Sequence, residues 1–297
     1  MIIKNEKDVT RAALEVMERT TDPRLRKIMT SLIEHLHGFI RDVELTEKEF
    51  RAATELLNDI GQQKTDTHNE MVLMAGSLGV SSLVCLLNNG NNGQTETSQS
   101  MLGPFWRLNS PRTENGESIV RSETPGARIF VNLCYVDTEG SPLEGVEVDV
   151  WHASTVGLYE SQDPTQTGMN LRGKFITDET GRVWFSSIKP SGYPIPTDGV
   201  VGKLLAAQSR HPFRPAHLHA LAFKEGFKTL ISQIFSDDDE KLGTDAQFGV
   251  TEALIARYKR HDEPNSAEPS IDVPWYTLNC TLVMEPGKAE LPQPPIK

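Results

Sequence analysis

Apolar residues in the first part of the chain recur at the spacing of an amphipathic helix. After Leu25 they follow every three or four positions as a continuous stripe, at Ile28, Met29, Leu32, Ile33, Leu36, Phe39 and Ile40. A helix with this pattern has one face that needs to be covered. The simplest cover is a second copy of the chain, which predicts a two-fold homodimer through the N-terminal helices. The alternative is that the stripe covers only its own domain.

Two capping boxes predict where further helices begin. Thr46 with Glu49 predicts a helix that runs to a C-cap at Gly61. Thr67 with Glu70 repeats the pattern in front of a second apolar segment. The first 87 residues are therefore predicted to be helical.

The hydrophobic period changes from 3.6 to 2 after an Asn- and Gly-rich segment at 88–92. This change predicts a boundary between a helical linker and dimerisation region, 1–92, and a second domain, 93–297. The strands predicted in that domain are 128–136, 146–151, 174–177, 182–188, 216–223, 230–235 and 275–284. Many short strands with Pro- and Gly-rich connections favour an antiparallel β-sandwich, so the predicted fold class is mainly β with a helical N-terminal region.

The segments between the predicted strands suggest a hairpin and two long loops. The turn 178–181, Asp-Glu-Thr-Gly, predicts that the strands on either side of it pair as a hairpin. The segments 154–173 and 190–215 are predicted to be loops that carry function. Tyr258 lies in a run with a helical pattern and is interpreted as a packing residue, and His261 is placed in a polar tail.

Composition narrows the class of protein. With 297 residues, 37% hydrophobic and 24% charged, the chain is predicted to be an ordered globular protein. A net charge of −11 argues against a nucleic-acid or anionic-membrane surface. The three cysteines are far apart in sequence, and no apolar run reaches 18 residues. A reducing, cytoplasmic setting is the prediction, without disulfides and without a membrane span.

Candidate chemistry begins with His217 and His219, two residues apart in a predicted strand. They project from one face with Cα atoms roughly 6.6 Å apart, so both can bind one metal ion. Tyr159 and Tyr193 precede them, and a phenol binds as phenolate to an ion as acidic as Fe(III). Two phenolates and a hydroxide neutralise ferric iron, which predicts a mononuclear non-haem Fe(III) site, one ion per chain. The alternatives are packing tyrosines with hydrogen-bonded histidines, and a non-catalytic β-sandwich module that binds zinc through His-x-His.

The surrounding motifs carry a family resemblance. Four segments occur in one order: Leu-Gly-Pro-Phe at 102–105, Val-Asp-Val-Trp-His-Ala at 148–153, Gly-Tyr-Pro-Ile-Pro-Thr-Asp-Gly at 192–199 and Arg-His-Pro-Phe-Arg-Pro-Ala-His at 210–217. The arrangement resembles the intradiol ring-cleavage dioxygenases, in their catechol 1,2-dioxygenase branch, from roughly residue 5 to the C-terminus. The segment 193–196 is most similar to hydroxyquinol 1,2-dioxygenases.

The resemblance implies an activity. It implies cleavage of hydroxyquinol (benzene-1,2,4-triol) to 3-hydroxy-cis,cis-muconate or its tautomer maleylacetate, with both atoms of O2 incorporated. Catechol or a chlorocatechol is the alternative substrate. The domain 93–297 would then be catalytic, and the helical region would form a dimer contact and a tunnel that can hold a phospholipid.

The resemblance also implies roles for individual residues. Arg214 would lie over the bound ring and stabilise negative charge that develops there. Tyr193 would be the phenolate that the incoming diol displaces, and would accept one of its protons. Gln233 matches another polar active-site position. Both Arg214 and Gln233 have a structural alternative, which is to bind a loop carboxylate or a buried backbone group.

The ring pocket that the resemblance implies contains two unusual residues. Its predicted lining is Leu73, Gly76, Leu102, Gly103, Pro104, Phe105, Ile195, Pro196 and Gln247. Gly76 stands where hydroxyquinol-cleaving relatives tend to carry an Asp that meets the extra hydroxyl, and Gln247 stands where an apolar residue is more usual. Either Gln247 supplies the missing polar contact, or the pocket prefers another substituted catechol.

Overall fold

The computed structural model describes residues 2–66, 68–88 and 97–295. The helices in these residues are α1 (Glu6–Met17), α2 (Pro23–Asp42), α3 (Glu47–Gln62), α4 (Glu70–Ser77), α5 (Val80–Asn88) and α6 (Val200–Ala207). The strands are β1 (Arg128–Val136), β2 (Glu147–Trp151), β3 (Arg172–Ile176), β4 (Arg182–Ile188), β5 (Tyr193–Pro194), β6 (Phe213–Arg214), β7 (His217–Phe223), β8 (Leu230–Ser236), β9 (Ile255–Ala256), β10 (Tyr258–His261) and β11 (Trp275–Val283). This order confirms the predicted fold class, mainly β with a helical N-terminal region.

The chain divides into two compact units, Met1–Asp59 and Ile60–Lys297. The second unit contains every residue of the predicted site. The predicted boundary between residues 92 and 93 lies outside the described residues, so it stays a prediction.

The first unit is helical, and its predicted capping box is present. The Thr46 N–H donates to Glu49 Oε2 at 2.9 Å, and the Glu49 N–H donates to Thr46 Oγ1 at 3.3 Å, at the start of α3. Helices α1 and α2 are joined by a hydrogen bond between Thr10 Oγ1 and His37 Nδ1 at 2.9 Å. The apolar stripe of α2 is exposed at Leu25, Ile28, Leu32, Leu36, Phe39 and Ile40.

The second apolar segment forms two short helices. Thr67, the first residue of the second predicted capping box, lies outside the described residues, and the side chain of Asn69 caps α4 by accepting from the Val72 N–H at 3.2 Å. Gly79, at φ +73°, separates α4 from α5. No single described helix is long and apolar enough to span a membrane, whereas α4 and α5 together, bent by 75°, meet that length and composition.

The second unit contains a sandwich of two sheets. One sheet has the order β3-β2-β7-β8-β9 and the other β10-β11-β1-β4, while β5 and β6 form a separate pair. The β1–β11 and β8–β9 pairs are parallel and the others antiparallel, so the sandwich is present as predicted but its sheets are mixed and not purely antiparallel. Apolar side chains from both sheets fill the space between them, among them Val131, Leu133, Val148, Phe175, Phe185, Leu218 and Ile234.

Strand β7 faces the core with one set of residues and the site with the other. Leu218 and Ala220 belong to the core between the sheets, whereas His217 and His219 alternate with them and lie on the outer face. On the neighbouring strands, Trp151 pairs with His219 from one side and Gln233 pairs with it from the other. The sandwich therefore fixes the histidine pair on a rigid sheet.

Three sequence-based expectations about the fold were wrong. The turn 178–181 connects β3 to β4, which lie in different sheets and do not pair, so it is not a hairpin. The predicted loop 190–215 contains α6, whose N-terminal Val201 N–H donates to the buried Glu70 carboxylate at 2.7 Å. Tyr258 and His261 lie in β10, paired with β11, and not in a helical run or a tail.

Candidate metal centre

Tyr159, Tyr193, His217 and His219 come together at the outer face of the five-stranded sheet. The phenol oxygens of the two tyrosines are 3.1 Å apart, and the Nε2 atoms of the two histidines are 3.2 Å apart. The ring centroids of Tyr193 and His217 are separated by 5.6 Å, and those of Tyr159 and His219 by 6.3 Å. All four side chains are buried. Two oxygens and two nitrogens therefore converge away from solvent, as predicted from the sequence.

Both imidazoles favour the neutral form, and the tautomer of His217 is fixed. His217 Nδ1 lies 2.7 Å from the Pro215 carbonyl, which can only accept, so Nδ1 carries the proton and Nε2 presents its lone pair. Burial, and then the nearby Arg214, lower the pKa of His217 to about 3. Burial also lowers the pKa of His219, whose ring stacks on Trp151 with centroids 4.6 Å apart.

Burial favours the neutral, protonated form of both phenols. Burial raises the pKa of Tyr159 well above its usual value, and the adjacent Tyr193 raises it further. Burial also raises the pKa of Tyr193, although Arg214 opposes the shift. Within the described residues, no three His, Cys, Asp or Glu side chains cluster as a metal site. The donors are thus two phenol oxygens and two imidazole nitrogens, a set that fits ferric iron better than zinc.

Arg214 lies beside these four residues in a buried hydrogen-bond network. Its Nε and Nη2 each lie 3.0 Å from a carboxylate oxygen of Asp245, a bidentate pair. Nη2 also donates to Gln233 Oε1 at 2.8 Å, and Nη1 lies 3.5 Å from His217 Nε2. Arg214 pairs with Tyr193 in the β5–β6 ladder, which brings both to the site. Arg214 therefore binds a loop carboxylate, which was the predicted structural alternative, and it also lies next to the convergent donors.

Asp245 is a site residue that the sequence analysis missed. Burial raises the pKa of its carboxyl group, but Arg214 and the N–H groups of Gln247 and Gly249 lower it more, so the net pKa is below its ordinary value. A lone Asp in a loop carries no pattern that would point to Arg214, which is far away in sequence. Gln233 was predicted, and the structure places its amide between Arg214 and the Met101 carbonyl, to which it donates at 2.6 Å.

The predicted motif 102–105 covers the site. Gly103 has φ +75°, and a Cβ there would lie 3.3 Å from Cε1 of His219, so a glycine permits the backbone to approach the imidazole. The Phe105 ring stacks on Tyr159 with centroids 4.5 Å apart. Leu102 packs on the cluster that contains Phe105 and Trp106.

A small cavity adjoins Tyr193 and Arg214. Among the predicted pocket residues, its lining contains Leu73, Gly103, Pro104, Phe105, Ile195, Pro196 and Gln247. Val72, Ser81 and Met101 complete the lining and were not predicted. Gly76 is buried in α4 and contacts Gln247. The walls are mainly apolar, with polar groups at separate points.

Comparison with known proteins decides the family. Residues 101–277 match the family model described as "Dioxygenase", and residues 22–96 match "Catechol dioxygenase N terminus". A hydroxyquinol 1,2-dioxygenase from Rhizobium sp. is 40% identical over 254 residues, which is 85% of each chain. The chain belongs to the intradiol ring-cleavage dioxygenases.

Two further relatives extend the match. A catechol 1,2-dioxygenase from Candida albicans is 37% identical over 242 residues, 81% of this dioxygenase and 80% of that protein. The crystal structure of a hydroxyquinol 1,2-dioxygenase from Pseudomonas putida matches with a TM-score of 0.86 at 34% identity, over 95% of this chain and 99% of that chain. The predicted family and enzyme class are confirmed, and they disfavour the alternative of a non-catalytic module. Intradiol dioxygenases depend on iron, in agreement with the convergent donors.

Proposed function

We propose that this intradiol dioxygenase cleaves hydroxyquinol, a catechol-type diol, between its two adjacent hydroxylated carbons. The product is 3-hydroxy-cis,cis-muconate or its tautomer maleylacetate; both atoms of O2 enter it, and no other reductant is consumed. The observation that carries the proposal is the buried set of two phenols and two imidazoles beside Arg214, next to a mainly apolar cavity that Tyr193 and Arg214 line and that has one amide, Gln247, in its wall. Named relatives at 34–40% identity support the substrate.

Tyr159, Tyr193, His217 and His219 are proposed to hold one Fe(III) ion per chain. When bound, ferric iron would take both ring oxygens of the diol as ligands and withdraw electron density, which makes the ring reactive toward O2. Bound as phenolates, Tyr159 and Tyr193 would supply negative charge that this ion needs, and the Pro215 carbonyl fixes the metal-binding tautomer of His217.

The protein's own groups then act on the bound diol. Tyr193 Oη accepts one of the two diol protons. The guanidinium of Arg214, 3% exposed and fixed by Asp245 and Gln233, stabilises negative charge that develops on the ring. Because the whole site is buried, these charges act without screening by bulk water.

Catechol or a chlorocatechol is the second candidate substrate. The observation that favours it is the absence of a side chain at Gly76, together with the named catechol 1,2-dioxygenase relative. The candidate substrates differ in one ring substituent, so the preference of the enzyme between them depends on the polar groups in the cavity wall.

Oxygen uptake by the purified, iron-replete protein tests the substrate. We expect faster uptake with hydroxyquinol than with catechol at equal concentration, one O2 per substrate, and maleylacetate with both ¹⁸O atoms after reaction under ¹⁸O2. A reaction without enzyme corrects for autoxidation of hydroxyquinol. Faster uptake with catechol would make catechol the substrate in place of hydroxyquinol. If protein that holds iron showed no uptake with either diol, the proposal would be overturned.

A homodimer through the N-terminal helices is also proposed, supported by the exposed apolar stripe on α2. Leu36→Glu places a charge in this stripe, so we expect it to shift sedimentation of the protein toward the monomer. The matched control is Lys27→Glu, an exposed residue of α2 outside the stripe. A monomeric wild type, or a Leu36→Glu dimer as stable as the control, would contradict the proposal.

Two finer parts of the proposal concern a lipid and the compartment. A phospholipid bound to the helical region should appear in mass spectra of organic extracts of the purified protein. A cytoplasmic location is supported by the cysteines Cys85, Cys134 and Cys280, which form no disulfide.

A further inference from the structure

Gly76 in α4 touches Gln247, which lies in the loop after β8 and lines the cavity. A Cβ added at Gly76 would overlap Oε1 of Gln247 and would lie 2.8 Å from its Cδ. Gln247 is 4% exposed and lines the cavity. The carboxamide of Gln247 therefore fills the space that a side chain at position 76 would take.

The orientation of this amide follows from its neighbours. Its Nε2 donates to Ser77 Oγ at 2.6 Å and points to the Leu73 carbonyl oxygen at 3.4 Å. A carbonyl oxygen can only accept, so the NH2 group lies on the Leu73 side and Oε1 lies on the Gly76 side. Both amide protons are directed at the helix, and Oε1 remains as a hydrogen-bond acceptor.

Hydrogen bonds to backbone groups on both sides fix the position of this contact. The Gln247 N–H donates to Asp245 Oδ1 at 3.1 Å, so the loop is tied to the carboxylate that holds Arg214. Arg210 donates from Nη1 to the Ser77 carbonyl at 2.7 Å and from Nη2 to the Ala246 carbonyl at 3.0 Å. The guanidinium of Arg210 thus joins the residue after Gly76 to the residue before Gln247.

We propose that Gln247 and Gly76 form one specificity-determining pair, in which the Gln247 amide presents a neutral acceptor to the ring substituent of the substrate. A neutral acceptor favours a substituent that donates a hydrogen bond, such as a third hydroxyl, over chlorine or a carboxylate, which donate none. The pair requires glycine at position 76, because any larger residue displaces the amide. This inference rests on the proposed function and assigns the hydroxyl recognition to Gln247.

Gln247→Met tests the recognition, since methionine is similar in length and has no amide. We expect the ratio of kcat/KM for hydroxyquinol to that for catechol to fall by about tenfold, the loss of one buried hydrogen bond. The change should lie mainly in KM for hydroxyquinol, because the contact exists in the ground state as well as in the transition state. If Gln247 only supported the fold, the substitution would lower kcat/KM for both substrates by the same factor.

A thermal-unfolding cycle tests the packing without using activity. Gly76→Ala should lower Tm by several degrees in the wild-type background, because the new methyl displaces Gln247, and by much less in the Gln247→Ala background. Gly61→Ala is the matched control, a helical glycine with no atom within 4 Å of its added Cβ, and should leave Tm unchanged or higher.

The outcomes separate this proposal from the proposed function. A wild type that prefers hydroxyquinol, with an unchanged substrate ratio in Gln247→Met, would overturn the pair and leave the function intact. Equal Tm losses from Gly76→Ala in both backgrounds would overturn the packing argument. A wild type that cleaves neither diol would overturn the function and the hydroxyl recognition together, whereas the unfolding cycle would still report the contact.

Discussion

Tyr159→Phe is expected to abolish the visible absorption of the iron-replete protein and to lower the rate of diol cleavage by at least about 100-fold. The Tyr159 hydroxyl lies 3.1 Å from that of Tyr193 and is completely buried with it. Removing this oxygen leaves three donors, and only one phenol remains to balance the charge of the ion. Three measurements separate the effects: bound iron per chain reports the loss of a donor, the visible spectrum reports the loss of absorption, and oxygen uptake reports the rate of cleavage.

Tyr135→Phe is the matched control. Tyr135 is also fully buried, but it lies in the core between the sheets, and its hydroxyl finds no hydrogen-bond partner among the described residues. Its removal should leave colour and rate unchanged. Persistence of the visible band and of full activity in Tyr159→Phe would show that this phenol is not a ligand.

The histidine pair of the candidate metal centre was predictable because it has a local signal. Alternation in a strand puts His217 and His219 on one face, and the structure confirms that Leu218 and Ala220 point to the core instead. Tyr159 and Tyr193 lie on connections whose course cannot be read from periodicity. Their convergence with the histidines was inferred from the chemistry of phenols and from motif order, and it required the folded chain to be seen.

The errors in the fold have a common physical cause. The Asp-Glu-Thr-Gly turn at 178–181 has the residues of a hairpin, but the strands around it pair with β2 and β1 in separate sheets. Helix α6 begins after a proline-rich segment, and its N-terminus is satisfied by the distant carboxylate of Glu70. In each case the deciding contact is tertiary, so no local pattern encodes it.

Long-range pairing also explains what was missed in the site. Asp245 binds Arg214 across 31 positions of sequence, and Gly76 and Gln247 each looked like a departure from the expected pocket. In the structure the two departures compensate each other, since the missing side chain of one makes room for the amide of the other. A single substitution such as Gly76→Asp would therefore also displace Gln247, and its effect on specificity has two causes.

Asp245→Asn is expected to lower the free energy of unfolding by about 3–5 kcal/mol, because it leaves the buried guanidinium of Arg214 without a counter-charge. The same change releases the guanidinium from its bidentate contact, and a shift of about 1 Å at this group costs on the order of 100-fold in kcat. Urea unfolding and steady-state kinetics on the iron-replete protein measure the two effects. Arg214 itself is unchanged, so any loss of rate reports its position.

The difference in the free energy of unfolding between wild type and Asp245→Asn depends on pH with a definite sign. The pKa of Asp245 is lowered in the folded protein from its ordinary value of 3.8, so its ionised form is stabilised by folding. The contribution is fully present above 3.8 and is lost as the pH falls through the lower folded pKa. The stability difference between wild type and Asp245→Asn should thus be constant at neutral pH and shrink only in acid.

Two further variants separate stability from positioning. Asp262→Asn removes a carboxylate from an exposed pair with Arg260 and should change neither stability nor rate measurably. Arg214→Met combined with Asp245→Val replaces the buried pair by apolar side chains, which should restore most of the stability but none of the rate. If Asp245→Asn lost stability and kept its kcat, the carboxylate would contribute to stability and not to the rate. Arg214 would then be held in position by Gln233 without Asp245.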